Sequence, residues 1–241
     1  DYAIIFNFFR GIRPLVEKFS PDKVYFVIEG YPQFRIQLDE HYKSERKRPD
    51  ESFLQQKRAI IDLVKKHMPF ITVRHAEFEC DDVIATLTAI HSRKGDECTI
   101  VSSDSDFIQL HNSFDIQLYN PVKKLFVEKP DYDYVVWKAL RGDPTDNILG
   151  IKGIGDKTAH KLVRDPRMLK ELFQDKSKLE IFERNVNLIR LVDLSQRMNE
   201  MEFDFGKHSF DFLYETFDRF EFTSMLKEKT WNKYCATFEG L

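Results

Sequence analysis

Cysteine is scarce in this 241-residue chain, which carries only Cys80, Cys98 and Cys235. An odd number with no metal-ligand spacing argues against a disulfide framework and points to a reducing, cytoplasmic setting. Long apolar runs are also missing: none approaches the roughly 20 residues that cross a bilayer. The amino-terminal DYAIIFNFF opens on an acid and lacks a basic n-region, so neither a signal peptide nor a membrane anchor is expected. There is no internal repeat, low-complexity tract or long linker. No initiator Met is present and no strand precedes Asp1, which leaves open whether the sequence starts inside a longer protein.

At 42% hydrophobic residues the chain can bury a sizeable core, as one large domain or a domain with an appendage. The net charge of −3 conceals a segregation of sign. Residues 41–48 set Lys43, Arg46, Lys47 and Arg48 against Glu45, and residues 151–170 are also mostly basic. Acids gather at 77–82, 104–106 and 143–146. Basic patches beside an acidic cluster suit a polyanion held next to metal ions, although solvated surface explains charge alone equally well.

Strand-length apolar runs occur at 23–28, 70–73, 98–102 and 115–120. Helical periodicity marks 51–68, closed by Pro69, and 81–93, closed by Gly95. Such alternation predicts an α/β fold whose central, mostly parallel sheet is flanked by helices. Sites in these folds form beyond the carboxyl ends of strands, and Glu29, the 79–82 acids, Asp104 and Asp106 all follow strands. After Pro130 the pattern is helical almost to the end, and the aromatic-rich stretch 203–222 reads as a small helical subdomain packed by Phe.

The Asp104/Asp106 pair alone reads best as a helix cap or turn, with a phosphatase nucleophile or a metal site as alternatives. Its company shifts the balance. EFECDDV supplies Glu79, Asp81 and Asp82, and RGDPTDN supplies Asp143 and Asp146. Hard cations such as Mg²⁺ and Mn²⁺ favour carboxylate oxygens, and gathered acids are tolerable chiefly around a cation. Two ions about 4 Å apart can activate water and steady a leaving phosphodiester oxygen, with no covalent side-chain nucleophile. A dehalogenase-like phosphatase continues its motif as DxDxT, whereas Asp106 is followed by Phe107 and Ile108.

GIKGIGDKTAHKLV is more specific. Gly153 and Gly155 permit a tight turn whose N–H groups face a phosphate, ahead of a helix with Lys157 in its first turn. This is the pattern of a helix-hairpin-helix clamp on a DNA backbone, with an ordinary helix-helix turn as the alternative. YKSERKR by itself reads best as an exposed charged segment; beside a metal cluster, Lys43 and Arg46, one turn apart if helical, could meet a scissile phosphate, and Tyr42 could stack on a base or sugar.

In the order VIEG, YKSERKR, EFECDDV, SSDSDF, RGDPTDN, GIKGIGDKTA, residues 1 to about 195 resemble the flap endonuclease and 5′-exonuclease family, which includes the nuclease domain of bacterial DNA polymerase I. SSDSDFIQLH and FERNVNLIRL are most similar to the ribonuclease H of T-even phages. The resemblance implies a PIN-like α/β nuclease core over 1–130 with a basic arch near 32–50, a helix-hairpin-helix region over 131–195 and a small helical part over 196–241. It implies Glu79, Asp81 and Asp104 around one ion, and Asp82, Asp106, Asp143 and Asp146 around a second, directly or through water. Lys43 and Arg46 would contact the scissile phosphate. Lys47, Arg48, Lys152, Gly153, Gly155 and Lys157 would hold DNA, with K⁺ at the hairpin turn.

Glu29 stands where the family has Asp, a longer reach for that ion. Asp1 stands about where the family's first catalytic Asp belongs, one residue short of the usual spacing, and either is that ligand or is preceded by it. The implied activity is Mg²⁺-dependent 5′-3′ exonuclease and flap endonuclease action, as a monomer, on branched or nicked duplexes and RNA/DNA hybrids, removing primers and flaps in phage replication. Single-strand-binding protein and a sliding clamp are the implied protein partners. The alternative is a structure-specific DNA-binding protein with a degraded metal site.

Overall fold

The computed structural model describes residues 2–207 and 209–241. Asp1 therefore lies outside the described residues. In chain order the elements are α1 (Ala3–Phe19), β1 (Tyr25–Ile28), α2 (Gln33–Leu38), α3 (Glu51–His67), β2 (Ile71–His75), α4 (Cys80–Arg93), β3 (Thr99–Val101), β4 (Gln117–Asn120) and β5 (Leu125–Phe126). Then follow α5 (Tyr134–Arg141), β6 (Gly142–Asp143), β7 (Ile148–Leu149), α6 (Asp156–Arg164), α7 (Pro166–Leu172), α8 (Lys176–Ile189), β8 (Met201–Phe205), α9 (Phe210–Arg219), α10 (Thr223–Leu226) and α11 (Glu228–Phe238). All four expected strands are present, and the α/β expectation holds. No described helix is long and apolar enough to cross a membrane.

The chain forms two compact units, one from residues 1–29, 48–75 and 200–241, the other from 30–47 and 76–199. In the first, β2 is the middle strand, parallel to β1 and antiparallel to β8. The stretch expected to be helical from 203 thus begins within a strand. MEFDF alternates apolar and acidic residues with the period of a strand, and β2 offers it an unpaired edge. Asp50 starts α3 by accepting the Phe53 amide at 2.7 Å, and Pro69 follows its end.

One face of α1 and α3 packs with α9 to α11 in a core of Phe9, Val64, Met68, Leu213, Phe217, Tyr234 and Phe238. Phe217 is fully buried. Its ring centre lies 5.1 Å from that of Phe9, 5.4 Å from Phe222 and 6.3 Å from Tyr234. These tilted and edge-on contacts add to the area term of burial.

In the second unit, β4 lies between parallel β3 and antiparallel β5. A short hairpin of β6 and β7 carries the third acidic motif. Its close approach depends on glycine: a Cβ on Gly142 (φ 79°) would overlap the Gly150 backbone, and one on Gly150 would overlap the Arg141 carbonyl. Asn185, fully buried on α8, ties the hairpin to α5 by donating to the carbonyls of Ala139 and Leu149, each at 2.9 Å.

Because Phe217 touches several large rings that cannot all collapse into its space, Phe217→Ala should cost about 3–5 kcal/mol. Urea unfolding checks this: the midpoint should fall while the slope stays near the wild-type value.

Candidate active site

Helix α4 begins at the acidic motif, so its first turn decides which carboxylates face where. Successive helical side chains are about 100° apart, and the neighbours Asp81 and Asp82 consequently have different surroundings. Asp82 is completely buried. Its oxygens receive two hydrogen bonds from Arg35, at 2.6 and 2.8 Å, and one from the Val192 amide at 2.8 Å. Asp82, expected at an ion directly or through water, is engaged by a bidentate guanidinium and a backbone N–H, and Arg35 opposes its charge. Asp81 is half-buried, with the Cys80 thiol 3.6 Å from its Oδ1.

Glu79 precedes α4 and is also buried. Its Oε2 faces Arg35 at 2.9 Å and accepts from the Tyr42 hydroxyl at 3.0 Å, while Oε1 pairs with Lys43. The Tyr42 hydroxyl also lies 3.3 Å from Asp146 Oδ2. Tyr42 is buried among Val135, Ala139, Ile148 and Leu188, so the expected stacking on a base or sugar is corrected: its ring faces the core and its hydroxyl bridges two acids. Burial, then the charges of Glu79 and Asp146, push that phenol well above its usual range.

Residues 39–46 form consecutive hydrogen-bonded turns rather than a regular helix, through Tyr42 to Asp39, Ser44 to His41 and Arg46 to Lys43. Lys43 and Arg46 nonetheless approach one carboxylate, that of Asp146. Lys43 reaches Glu79 and lies 3.8 Å from Asp146, and Arg46 pairs with Asp146. Burial alone would lower the Lys43 pKa, but Glu79 reverses this and raises it.

The third motif converges with the second aspartate of the DxD. Carboxylate oxygens of Asp106, Asp143 and Asp146 lie within 4.8 Å of one another. The two members of the DxD divide their roles. Asp104 is exposed and caps the 3₁₀ helix Ser105–Asn112, accepting the Asp106 amide at 2.9 Å, whereas Asp106 joins the cluster. Between Asp106 and Asp143 sits Lys138, buried on α5, contacting Asp106 and lying 2.7 Å from Asp143. Burial pushes the Asp106 carboxyl up despite Lys138. At Asp143 burial is outweighed by hydrogen bonds from Lys138 and Thr145, which hold it low.

Sequence reasoning missed Lys138 and Arg35. Lys138 had a signal: in YVVWKAL it falls three residues after Val135 and one before Ala139, inside the buried stripe of α5. A lysine there needs carboxylate partners. Arg35 had none, since one arginine in QFRIQL is an ordinary surface residue by pattern.

Lys47 is exposed, as are Lys152, Gly153, Gly155 and Lys157. Gly153 has a left-handed backbone (φ 84°), and Gly155 is the amino-terminal cap residue of α6, the tight turn and helix start that the GIKGIG spacing implies. Glu29 and Arg48 belong to the first unit. Glu29 follows β1, and its carbonyl accepts from Arg74 at 3.3 Å.

Residues 1–138 match the profile of the 5′-3′ exonuclease N-terminal, resolvase-like domain, and residues 130–213 that of the 5′-3′ exonuclease C-terminal SAM fold. The chain belongs to the 5′-3′ exonuclease family. Among its relatives, a thermostable DNA polymerase I of Thermus thermophilus is 33% identical over 82% of this chain and 26% of its own length. A 5′-3′ exonuclease of Bacillus subtilis is 29% identical over 72% of this chain and 62% of its own. The chain thus spans about a quarter of the polymerase. The fold resembles the bacteriophage T5 flap endonuclease in a complex with DNA and metal ions, with TM-score 0.65 and 20% identity over 79% of this chain and 80% of that one. These matches support the family and leave kinship with T-even phage ribonuclease H as an expectation.

Two predictions follow from the charge balance. Lys138→Met leaves Asp106 and Asp143 buried without their shared cation and should cost about 3–5 kcal/mol in EDTA. Thermal melts with and without Mg²⁺ check it, with Mg²⁺ restoring more stability to the variant than it adds to wild type. For Asp106, a carboxyl raised in the folded state favours folding at low pH and penalises it as pH rises through the folded pKa. Asp106→Asn should therefore raise the metal-free Tm at pH 7, and the gain should shrink as pH falls toward about 4.

Proposed function

We propose that this chain is a divalent-metal-dependent 5′-3′ exonuclease and structure-specific flap endonuclease. It hydrolyses phosphodiesters of DNA or RNA/DNA near 5′ ends, flaps and single-strand/duplex junctions. The observation that carries this reading is the convergence of Asp106, Asp143 and Asp146 beside the basic turn that presents Lys43 and Arg46. The donor set is all carboxylate oxygen, the kind hard divalent cations take, and the chain's own ammonium and guanidinium groups already occupy its field. A cation therefore fits.

Asp106, Asp143, Asp146 and Glu79 would hold two Mg²⁺ ions, with Mn²⁺ as a substitute, and Asp81 and Asp104 would contribute through water. When bound, these ions lower the pKa of water and offset charge on the attacking and leaving oxygens. Lys43 and Arg46, turned from the acids toward the substrate, bind the scissile phosphate and orient it. Lys138 keeps Asp106 and Asp143 together and favours the charged form of Asp143. Exposed Lys47, Lys152 and Lys157, with Gly153 and Gly155 at the turn, hold the duplex backbone, and K⁺ is the monovalent ion suited to that turn.

In biology the activity removes RNA primers and flaps during phage DNA replication, acting as a monomer beside a single-strand-binding protein and a sliding clamp.

Asp104→Asn combined with Asp106→Asn should abolish Mg²⁺-dependent cleavage of a 5′-flap duplex, while filter binding in Ca²⁺ stays close to wild type. Unchanged cleavage would sink the proposal. Binding by the wild type with no cleavage in Mg²⁺ or Mn²⁺ would favour a non-catalytic DNA-binding protein.

A further inference from the structure

Asn147 directly follows Asp146, and its backbone is left-handed (φ 58°), a conformation asparagine tolerates better than most residues. Its side-chain amide donates to the His41 carbonyl at 3.0 Å and to Ser44 Oγ at 3.2 Å. It thus grips the basic turn on both sides of Tyr42 and Lys43. Lys43 is itself left-handed (φ 55°), and its amide donates to the Asp146 carbonyl at 3.0 Å. A lysine has no intrinsic reason to adopt positive φ, and such a backbone persists only where its surroundings over-determine it. Here the hydrogen bonds to residues 146 and 147 supply that constraint. The loop that carries an acid of the cluster also fixes the backbone from which Lys43 extends.

We propose that Asn147 is a positioning residue for Lys43, acting through the 41–44 turn and touching no reacting atom. The inference rests on the reading of Lys43 as a phosphate-binding cation. A Lys43 released from this grip keeps its charge but loses its direction, and small misplacements of a group at the reaction centre cost rate. Duplex affinity comes from other basic residues and stays put, so the loss falls on kcat and leaves KM near wild type.

Asn147→Gly is the discriminating variant, because glycine keeps positive φ accessible while deleting the amide. On a 5′-flap duplex its kcat should fall about tenfold or more, as expected from losing two hydrogen bonds of usual net strength. In a Lys43→Ala background the same change should add little, since the residue it positions is gone. Amide hydrogen exchange without substrate should speed up at residues 41–46 and remain unchanged in α5 and α6.

Full additivity with Lys43→Ala, or a lower Tm with wild-type kcat, overturns the positioning role. So does unchanged exchange at 41–46. Wild-type cleavage by Lys43→Ala alone instead overturns the function assigned to Lys43, while the exchange comparison decides the docking of the turn on its own.

Discussion

Four hydrogen bonds and a further ion pair surround the Arg35 guanidinium. Nε donates to the Leu188 carbonyl at 2.8 Å, and the two terminal nitrogens engage Asp82 twice, Glu79 and the Arg190 carbonyl. The side chain is almost wholly buried, and burying an arginine is tolerable only with its donors satisfied and its charge opposed. Asp82 opposes it; Glu79 shares in doing so and is turned in the process. One Glu79 oxygen is committed to the interior and the other is presented to Lys43. α2, α4 and the segment after α8 are thereby tied at one point, and the acids nearby inherit their orientation from it.

Around that anchor the second unit holds an unusual concentration of charge without a dominant sign. Lys138 lies between Asp106 and Asp143, Arg46 pairs with Asp146, and Lys43 spans Glu79 and Asp146. Lys138 and Arg35 have little freedom to leave. Lys43 and Arg46 extend from a surface turn, and half of the Arg46 side chain is exposed. The fixed cations make the fold tolerable, and the movable ones are available to a polyanion. The opposite shifts of Asp106 and Asp143 follow from burial, which prevails at Asp106 and is outweighed at Asp143 by hydrogen bonds from Lys138 and Thr145.

The sequence made the elements more legible than the site. Strand-length apolar runs and the α3 and α4 periodicities are local signals, and they placed the core strands. β8 was missed because Phe-rich composition drew attention from the two-residue alternation of MEFDF. The acids of the cluster were named in advance, yet spacing could not tell Asp81 from Asp82. Which of two adjacent carboxylates turns inward depends on Arg35, forty-odd positions earlier and fixed only by packing. Tyr42 was misread for the same reason: a tyrosine beside basic residues resembles a stacking platform until Ile148 and Leu188 cover it. Lys138 was readable from its place in an apolar stripe, a clue that charge counting passes over.

The return of the chain in β8 bears on the order of folding during synthesis. The second unit draws all its residues from 30–47 and 76–199, whereas the first needs segments that include 200–241. When residue 199 has been made, the Arg35 anchor and the 106/143/146 acids are all available, but the edge of β2 still lacks β8 and the pocket around Phe9 lacks Phe217 and Tyr234. The first unit's apolar faces therefore remain open longest on the ribosome. Aggregation of a truncated or stalled chain would start from that unit rather than from the one bearing the charged cluster.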